Sequence, residues 1–145
     1  MSAGLEEFRF TLSQPVVLRD LDAFGHVNNA VYLTFAENGR VAYLKEVVGA
    51  ETYEQIRNII AHATIEFRAE ATYGDVVTVG VRTDRVGTKS FHLVYRMARQ
   101  DGTTIADIES VQVMFDFATG RAIEVPDEWR AQISEYDGLD RDTAA

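Results

Sequence analysis

Apolar and polar residues alternate near the start of the chain and again through its second half. Residues 8–18 begin with a period of two and contain Pro15, which favours a sheet edge because proline cannot donate a ladder hydrogen bond. Gly87 and the Asp101-Gly102 pair stand between later runs, where hairpin turns belong. Four further strands are predicted, at residues 59–68, 76–85, 89–100 and 104–117.

The first of these four segments has the pattern of a half-buried strand. Its odd-numbered positions, from Ala61 to Phe67, are apolar, and its even-numbered positions, from His62 to Arg68, are polar. Because short turns link the later runs, we expect the four strands to form an antiparallel meander in chain order.

A long helix is predicted between the first strand and the others. From Asn29 to Val48, apolar residues cover most of the helical circumference, which is typical of a buried helix. Asn28 or Asn29 can cap its start, and Gly49 stands where a glycine usually ends a helix.

A helix that is apolar on every side needs a sheet curved around it. The predicted fold class is therefore α+β, with a curved antiparallel sheet wrapped around a long central helix. A short C-terminal helix is predicted from Pro126 to about Tyr136, with acidic residues in its first turn. We expect residues 1–136 to form a single domain and residues 137–145 to be a frayed tail. The edges of such a sheet favour pairing of two sheets in a homodimer, or further assembly into a homotetramer.

Composition and charge exclude several classes of function. The chain has 145 residues, enough for one domain, and its 14 Lys and Arg against 23 Asp and Glu give a net charge of −9. This is opposite in sign to the basic surface of nucleic-acid-binding proteins, so no nucleic-acid partner is expected. The absence of cysteine excludes disulfides, thiolate metal sites and a cysteine nucleophile. No apolar stretch has the length of a membrane span and no leader is evident, so we expect a cytoplasmic protein without a membrane partner.

The densest group of polar residues, 19–29, precedes the long helix. Asp22 supplies a carboxylate, Gly25 allows the backbone to approach a ligand, and His26 supplies an imidazole. Asn28 and Asn29 stand at the helix start, where free N–H groups attract negative charge. A carboxylate facing such an oxyanion site suits hydrolysis by acyl transfer. The same residue types are common in turns and caps, so their spacing alone leaves both interpretations open.

The stretch from Asp22 to Tyr32, with Glu37 and Arg40 further along the helix, resembles the signature of hotdog-fold thioesterases of the hydroxybenzoyl-CoA thioesterase type. The resemblance covers roughly residues 8–132. It implies a hotdog fold and an acyl-CoA thioesterase that hydrolyses a thioester to a free carboxylic acid and CoA, without a metal or redox cofactor. Further matches follow in the family's order at Phe67-Arg68, Tyr73-Gly74-Asp75, residues 87–91, Thr119-Gly120-Arg121 and Val125-Pro126.

The resemblance also implies roles for individual residues. It makes Asp22 the catalytic carboxylate, acting as nucleophile or as general base on water, and it places the backbone N–H near Asn29 at the thioester carbonyl. Gly25 and His26 complete the expected catalytic set. The expected substrate-binding residues are Tyr32, Glu37, Arg85, Lys89 and Ser90.

Physical arguments bear on several of these assignments. Glu37 is expected to pair with Arg40, three residues on. Lys89 and Arg85 would supply local positive charge for the CoA phosphates, in a patch with Arg82, Arg96 and Arg99. His62 and His92 lie on predicted strands without a partner carboxylate at ligand spacing, and the chain has no His-x-x-x-His pair, so no metal site is predicted.

Two other functions stay open. The string from His26 to Asn29 is also similar to plant-type acyl-carrier-protein thioesterases, which would dock an acyl-carrier protein through a basic patch; Phe24 departs from that pattern, which has an asparagine there. A non-catalytic acyl-CoA-binding module is the other alternative, and the retained Asp22 argues against it. The sequence leaves open the acyl chain and the choice between dimer and tetramer.

Overall fold

The chain forms one six-stranded antiparallel sheet packed against a long helix, as the predicted fold class requires. The structure, a computed structural model, describes residues 4–140. The strands are β1 Phe10–Pro15, β2 Asn58–Phe67, β3 Val76–Val86, β4 Ser90–Arg99, β5 Thr104–Asp116 and β6 Arg121–Ala122, and the helices are α1 Asn29–Val48 and α2 Asp127–Asp137.

The strand order in the sheet is β1-β3-β4-β5-β2, with the short β6 paired to β5. The predicted meander of four strands in chain order is therefore wrong. β2 pairs with β5 rather than with β3, and the first strand takes the position beside β3. Turn signals identify only neighbours joined by short hairpins, which here are β3, β4 and β5. The predicted edge position of β1, which ends at Pro15, is confirmed.

The predicted boundaries of α1 are confirmed. The Asn28 side chain accepts a hydrogen bond from the Ala30 N–H at 2.9 Å, and Gly49 ends the helix with φ +70°. Burial on all sides is not found in a single chain. Tyr32 and Tyr43 are among the residues buried on one stripe, whereas Leu33 is 46% and Val41 40% exposed on the opposite stripe. The sheet of one chain covers only one side of this helix.

The strand β2 is also more exposed than predicted. It lies at a sheet edge, and Ile59, Ile60 and Phe67 are between 38% and 47% exposed. A bulge between Ile60 and His62 interrupts the simple alternation of faces. The half-buried pattern therefore describes a strand in which Ile65 packs against the core while Ile59, Ile60 and Phe67 stay largely exposed.

The C-terminal helix is held against α1 and β3 by a partly buried carboxylate. The hydroxyl of Tyr43 donates to Asp137 at 2.5 Å, and the backbone N–H of Thr83 donates to the same oxygen at 2.9 Å. Burial raises the pKa of Asp137. The ordered chain thus continues beyond residue 136, and Leu139 still packs on the core. Residues 141–145 of the expected tail lie outside the described residues. No helix within 4–140 is long and apolar enough to cross a membrane.

Candidate active site

The polar loop between β1 and α1 is a tight turn organised by Asp22. The N–H of Asp22 donates to the His26 carbonyl at 2.8 Å, and the N–H of Gly25 donates to the Asp22 carbonyl at 3.1 Å. Gly25 has φ +81°, a conformation that favours glycine. The side-chain oxygen Oδ1 of Asp22 accepts the N–H of Phe24 at 2.8 Å. No donor within residues 4–140 bonds to the other oxygen, Oδ2, so it is available to a ligand.

Two contacts tie this turn to the segment that follows β2. The N–H of Val27 donates to the Ala71 carbonyl at 2.8 Å, and the Thr72 hydroxyl donates to the Gly25 carbonyl at 2.6 Å. These bonds fix the loop against the end of the sheet and so set the position of Asp22 relative to α1.

The start of α1 presents a free backbone donor at the same place. The Asn28 side chain accepts a hydrogen bond from the N–H of Ala30 at 2.9 Å, and the Asn28 carbonyl accepts one from the N–H of Val31 at 2.8 Å. The N–H of Asn29 has no acceptor among the hydrogen bonds of the described chain, as expected for the first residue of a helix. Such a group can stabilise an oxygen that becomes negative during a reaction.

Asp22 and three other predicted site residues, His26, Asn29 and Tyr32, line one open cleft of about 570 Å³. The structure brings these four predicted residues together in one region. The cleft lies between the N-terminus of α1 and the Phe67 end of β2. Its remaining lining residues are Val27, Phe67, Arg68, Ala69, Glu70 and Arg99.

Glu70 is the cleft residue that the sequence analysis missed. Its carboxylate lies 2.8 Å from Nδ1 of His26, and both side chains are about half exposed or more, at 64% and 48%. This contact fixes the imidazole and leaves Nε2 available for proton exchange. The two residues are 44 positions apart in the sequence, and no local signal links them.

Tyr32 forms an apolar wall of the cleft. Its hydroxyl donates to the Ala69 carbonyl at 3.2 Å, and its ring packs edge-on against Phe67 with centroids 5.1 Å apart. Burial raises the pKa of Tyr32, and the Coulombic effect of Glu70 adds to the increase. The phenol therefore remains neutral at physiological pH and contributes shape rather than charge.

Glu37 lines a second cavity, of about 300 Å³, further along the same helix. The predicted pairing with Arg40 is confirmed, since Oε2 of Glu37 lies 3.6 Å from Nη2 of Arg40. This cavity is bounded by α1 on one side and by β2, β4 and β5 on the other.

Arg85, Lys89 and Ser90 lie at the opposite end of the sheet from Asp22. β4 runs from Ser90 to Arg99, and Arg99 is the end that lines the cleft. Nine steps of about 3.3 Å separate the two ends by roughly 30 Å. A single chain therefore does not bring these three residues to the catalytic loop.

The expected arginine patch is only partly present. Arg96 binds Asp107 at 2.7 Å and Arg99 binds Asp101 at 3.1 Å. These two guanidinium groups are neutralised by acids of neighbouring strands and turns, so they do not form a free cationic surface.

The Nδ1 of His92 is hydrogen-bonded to Asp84 across the β3–β4 pair, a contact that sequence spacing did not show. Cross-strand neighbours depend on register, which the sequence alone did not provide. Within residues 4–140, no group of three or more His, Asp or Glu side chains is arranged to hold a metal ion.

Comparison with known proteins gives consistent similarities. The model of the thioesterase-like superfamily matches residues 16–133. A thioesterase from Thermus thermophilus, solved with coenzyme A and Zn, is 30% identical, with a TM-score of 0.85 over 93% of this chain and 98% of that one. The long-chain acyl-CoA thioesterase FadM of Escherichia coli (strain K12) is 27% identical over 118 residues, 79% of this chain and 89% of that protein. The chloroplastic acyl-acyl carrier protein thioesterase ATL3 of Arabidopsis thaliana is 26% identical over 124 residues, 81% of this chain and 63% of that protein.

Proposed function

Because the chain belongs to the thioesterase-like superfamily and is a thioester hydrolase with the hotdog fold, we propose that it hydrolyses acyl-CoA to a free carboxylic acid and CoA, with Asp22 as the catalytic carboxylate. The observation that carries this proposal is the cleft that Asp22 and Asn29, the first residue of α1, both line. The carboxylate acts on the thioester carbonyl carbon, and the N–H of Asn29 faces the carbonyl oxygen.

Two routes fit this pair of groups. In one, Asp22 removes a proton from water, and the resulting hydroxide attacks the carbonyl carbon. In the other, the carboxylate itself attacks and forms an anhydride that water then cleaves. In both routes the C–S bond breaks, the N–H of Asn29 stabilises the tetrahedral oxyanion, and the CoA thiolate leaves and takes up a proton. His26, held through Nδ1 by Glu70, supplies a nitrogen for that proton exchange.

The proposed active form is a homodimer in which β2 pairs with β2 of a second copy. Within the described chain, one edge of β2 pairs with β5 and no strand pairs with the other edge. Exposed apolar residues lie along β2 and on the neighbouring stripe of α1, including Ile60 and Leu33. Antiparallel pairing would satisfy the free edge and cover these side chains.

This pairing also gives a role to Arg85, Lys89 and Ser90. On β2, Asn58 lies at the Ser90 end of the sheet and Phe67 lies at the cleft end. An antiparallel β2 pair places the Asn58 end of the second copy beside the Phe67 end of the first. Each cleft would then contain Asp22 from one chain and Lys89 and Arg85 from the other, with the two cations facing the CoA phosphates.

The proposal includes no resident metal or redox cofactor. The sequence supports this view, since it has no cysteine and its three histidines are distant from one another. We also propose a cytoplasmic location, which cell fractionation tests.

An acyl-carrier-protein thioesterase is the second candidate, and the similarity to ATL3 favours it. The two candidates differ in the carrier that the enzyme recognises. Purified enzyme should be assayed with one acyl group attached to CoA, to acyl-carrier protein and to truncated pantetheine. The proposal expects the highest kcat/KM with acyl-CoA. A much higher value with acyl-carrier protein would support the second candidate, and no hydrolysis of any of the three would refute both.

A further inference from the structure

The cavity beside Glu37 has an apolar wall and a polar floor. Leu33, Ile60 and Ala63 contribute the wall, and the hydroxyls of Tyr95 and Ser110 contribute the floor. Ile60 and Ala63 are three positions apart on β2 and line the same cavity because the bulge between Ile60 and His62 reverses the alternation of faces.

The floor is part of a buried chain of hydrogen bonds. Gln112 Nε2 donates to Ser110 Oγ at 2.9 Å, and the hydroxyls of Ser110 and Tyr95 lie 2.7 Å apart. At the other end, Arg40 Nη1 donates to the Tyr95 oxygen at 3.4 Å. Tyr95 and Ser110 are only 1% and 2% exposed, so their donors and acceptors are expected to be paired.

Counting the protons of this chain leaves one donor unpaired. The two hydroxyls have two protons, and a single hydrogen bond joins their oxygens. If Tyr95 donates to Ser110, the Ser110 proton has no acceptor within residues 4–140; if Ser110 donates, the Tyr95 proton has none. In either arrangement, one hydroxyl that lines the cavity has a proton to give.

The cavity lies further along α1 than the cleft. Leu33 lies one helical turn beyond Asn29, and Ala36 lies one turn beyond Tyr32. At 1.5 Å per residue, the cavity begins about 6 Å from Asn29 and extends to about 16 Å along the helix axis. An acyl chain whose carbonyl lies at Asn29 and that runs along α1 therefore has the length to reach the floor with its far end.

We infer that this enzyme prefers acyl groups that carry a neutral oxygen, a hydroxyl or a keto group, at the far end of an otherwise apolar chain. The inference rests on the proposed function and adds the class of acyl group. The hydroxyl of Tyr95 or Ser110 that has an unpaired proton donates to this oxygen, while the apolar wall of the cavity packs against the acyl chain. Glu37 and Arg40 balance each other in charge, so the cavity offers no net charge for a distal carboxylate.

The test is a comparison of matched CoA thioesters. For chains of six to ten carbons, each ω-hydroxyacyl-CoA is assayed against the acyl-CoA in which a methyl group replaces the hydroxyl. At the best length we expect kcat/KM to be about 10-fold higher for the hydroxylated substrate, since a methyl end leaves a buried donor unpaired. Equal rates, or a preference for the methyl end at every length, would overturn the inference. Failure to hydrolyse either series would instead refute the proposed function.

Variants distinguish the hydroxyl floor from a general effect of polarity. Tyr95→Phe and Ser110→Ala each leave one hydroxyl with a free proton, so each single variant should keep a preference for the hydroxylated substrate. The double variant removes both hydroxyls. It should reduce the ratio of kcat/KM for the hydroxylated substrate to kcat/KM for the methyl-ended substrate to about 1 or below. Thr34→Val, which removes a hydroxyl elsewhere in the cavity lining, is the matched control and should leave the ratio unchanged.

A thermal melt of each variant verifies folding. An unchanged ratio in a folded double variant would refute the role of the floor. If the double variant does not fold, the inference is decided by the parental enzyme alone, from its ratio of kcat/KM for the hydroxylated and the methyl-ended substrates.

Discussion

Mixing two impaired variants of this enzyme should restore activity if each active site combines residues of two chains. One variant is Asp22→Asn, and the other is the double reversal Arg85→Glu/Lys89→Glu. In one chain, Ser90 and the cleft residue Arg99 stand at opposite ends of β4, so Lys89 lies roughly 30 Å from the cleft. Dimer pairing through β2 would bring Lys89 of one copy to Asp22 of the other.

The expected magnitude follows from the symmetry of the dimer. After co-refolding at equal amounts, half of the dimers are mixed, and each mixed dimer has one site with both defects and one site with none. About one quarter of all sites are then intact. Exposed ion pairs contribute about 0.2–1 kcal/mol each, and reversal replaces attraction with repulsion, so the double reversal should raise KM for acyl-CoA by ~30-fold.

The assay is kcat/KM at substrate concentrations well below KM. We expect the mixture to reach about one quarter of the parental value, far above either variant alone. A mixture that equals the average of the two variants would refute the two-chain site. As a control, the double reversal should hardly change the hydrolysis of a truncated acyl-pantetheine, which lacks the nucleotide phosphates. An equal loss with both substrates would show that the phosphates bind elsewhere.

Three further outcomes are expected. Exhaustive chelation should leave acyl-CoA hydrolysis unchanged, and activity that is lost and then restored by one divalent ion would reveal a metal site. Because burial raises the pKa of Asp137, the folded protein holds that proton more tightly than the unfolded chain does. The free energy of unfolding from urea titrations should therefore fall as pH rises from about 4 through the raised pKa, and Asp137→Asn should flatten this dependence; identical pH profiles would contradict the assignment. Gly80→Ala should destabilise the fold by about 1–3 kcal/mol in the same titration, since an added Cβ would lie 2.6 Å from Cγ of Phe8, and unchanged stability would show that Phe8 moves freely.

Features encoded by short stretches of sequence were predictable. The bounds of α1 follow from Asn28 and Gly49, whose capping roles depend only on adjacent backbone groups. The turn that presents Asp22 likewise depends on Gly25, whose N–H donates to the Asp22 carbonyl three residues earlier. Local chemistry therefore indicated the polar loop as a candidate site, and the family resemblance singled out Asp22 within it.

Features that depend on long-range pairing were not predictable. The position of β2 beside β5, the contact of Glu70 with His26 and the contact of Asp84 with His92 all require the register of the sheet. The apolar pattern of β2 was read correctly as a strand but wrongly as half buried. Apolar residues exposed on an edge strand have the same pattern along the sequence as residues that face their own core.

The most direct test of the account is the turnover of an acyl-CoA by the parental enzyme and by Asp22→Asn, measured as CoA release under saturating substrate. Asparagine keeps the side-chain oxygen that accepts the N–H of Phe24 and so preserves the turn, but it removes the carboxylate. We predict measurable hydrolysis by the parental enzyme and a kcat lower by at least ~10²-fold in the folded variant. Near-parental turnover by Asp22→Asn would contradict the assignment of Asp22 as the catalytic carboxylate.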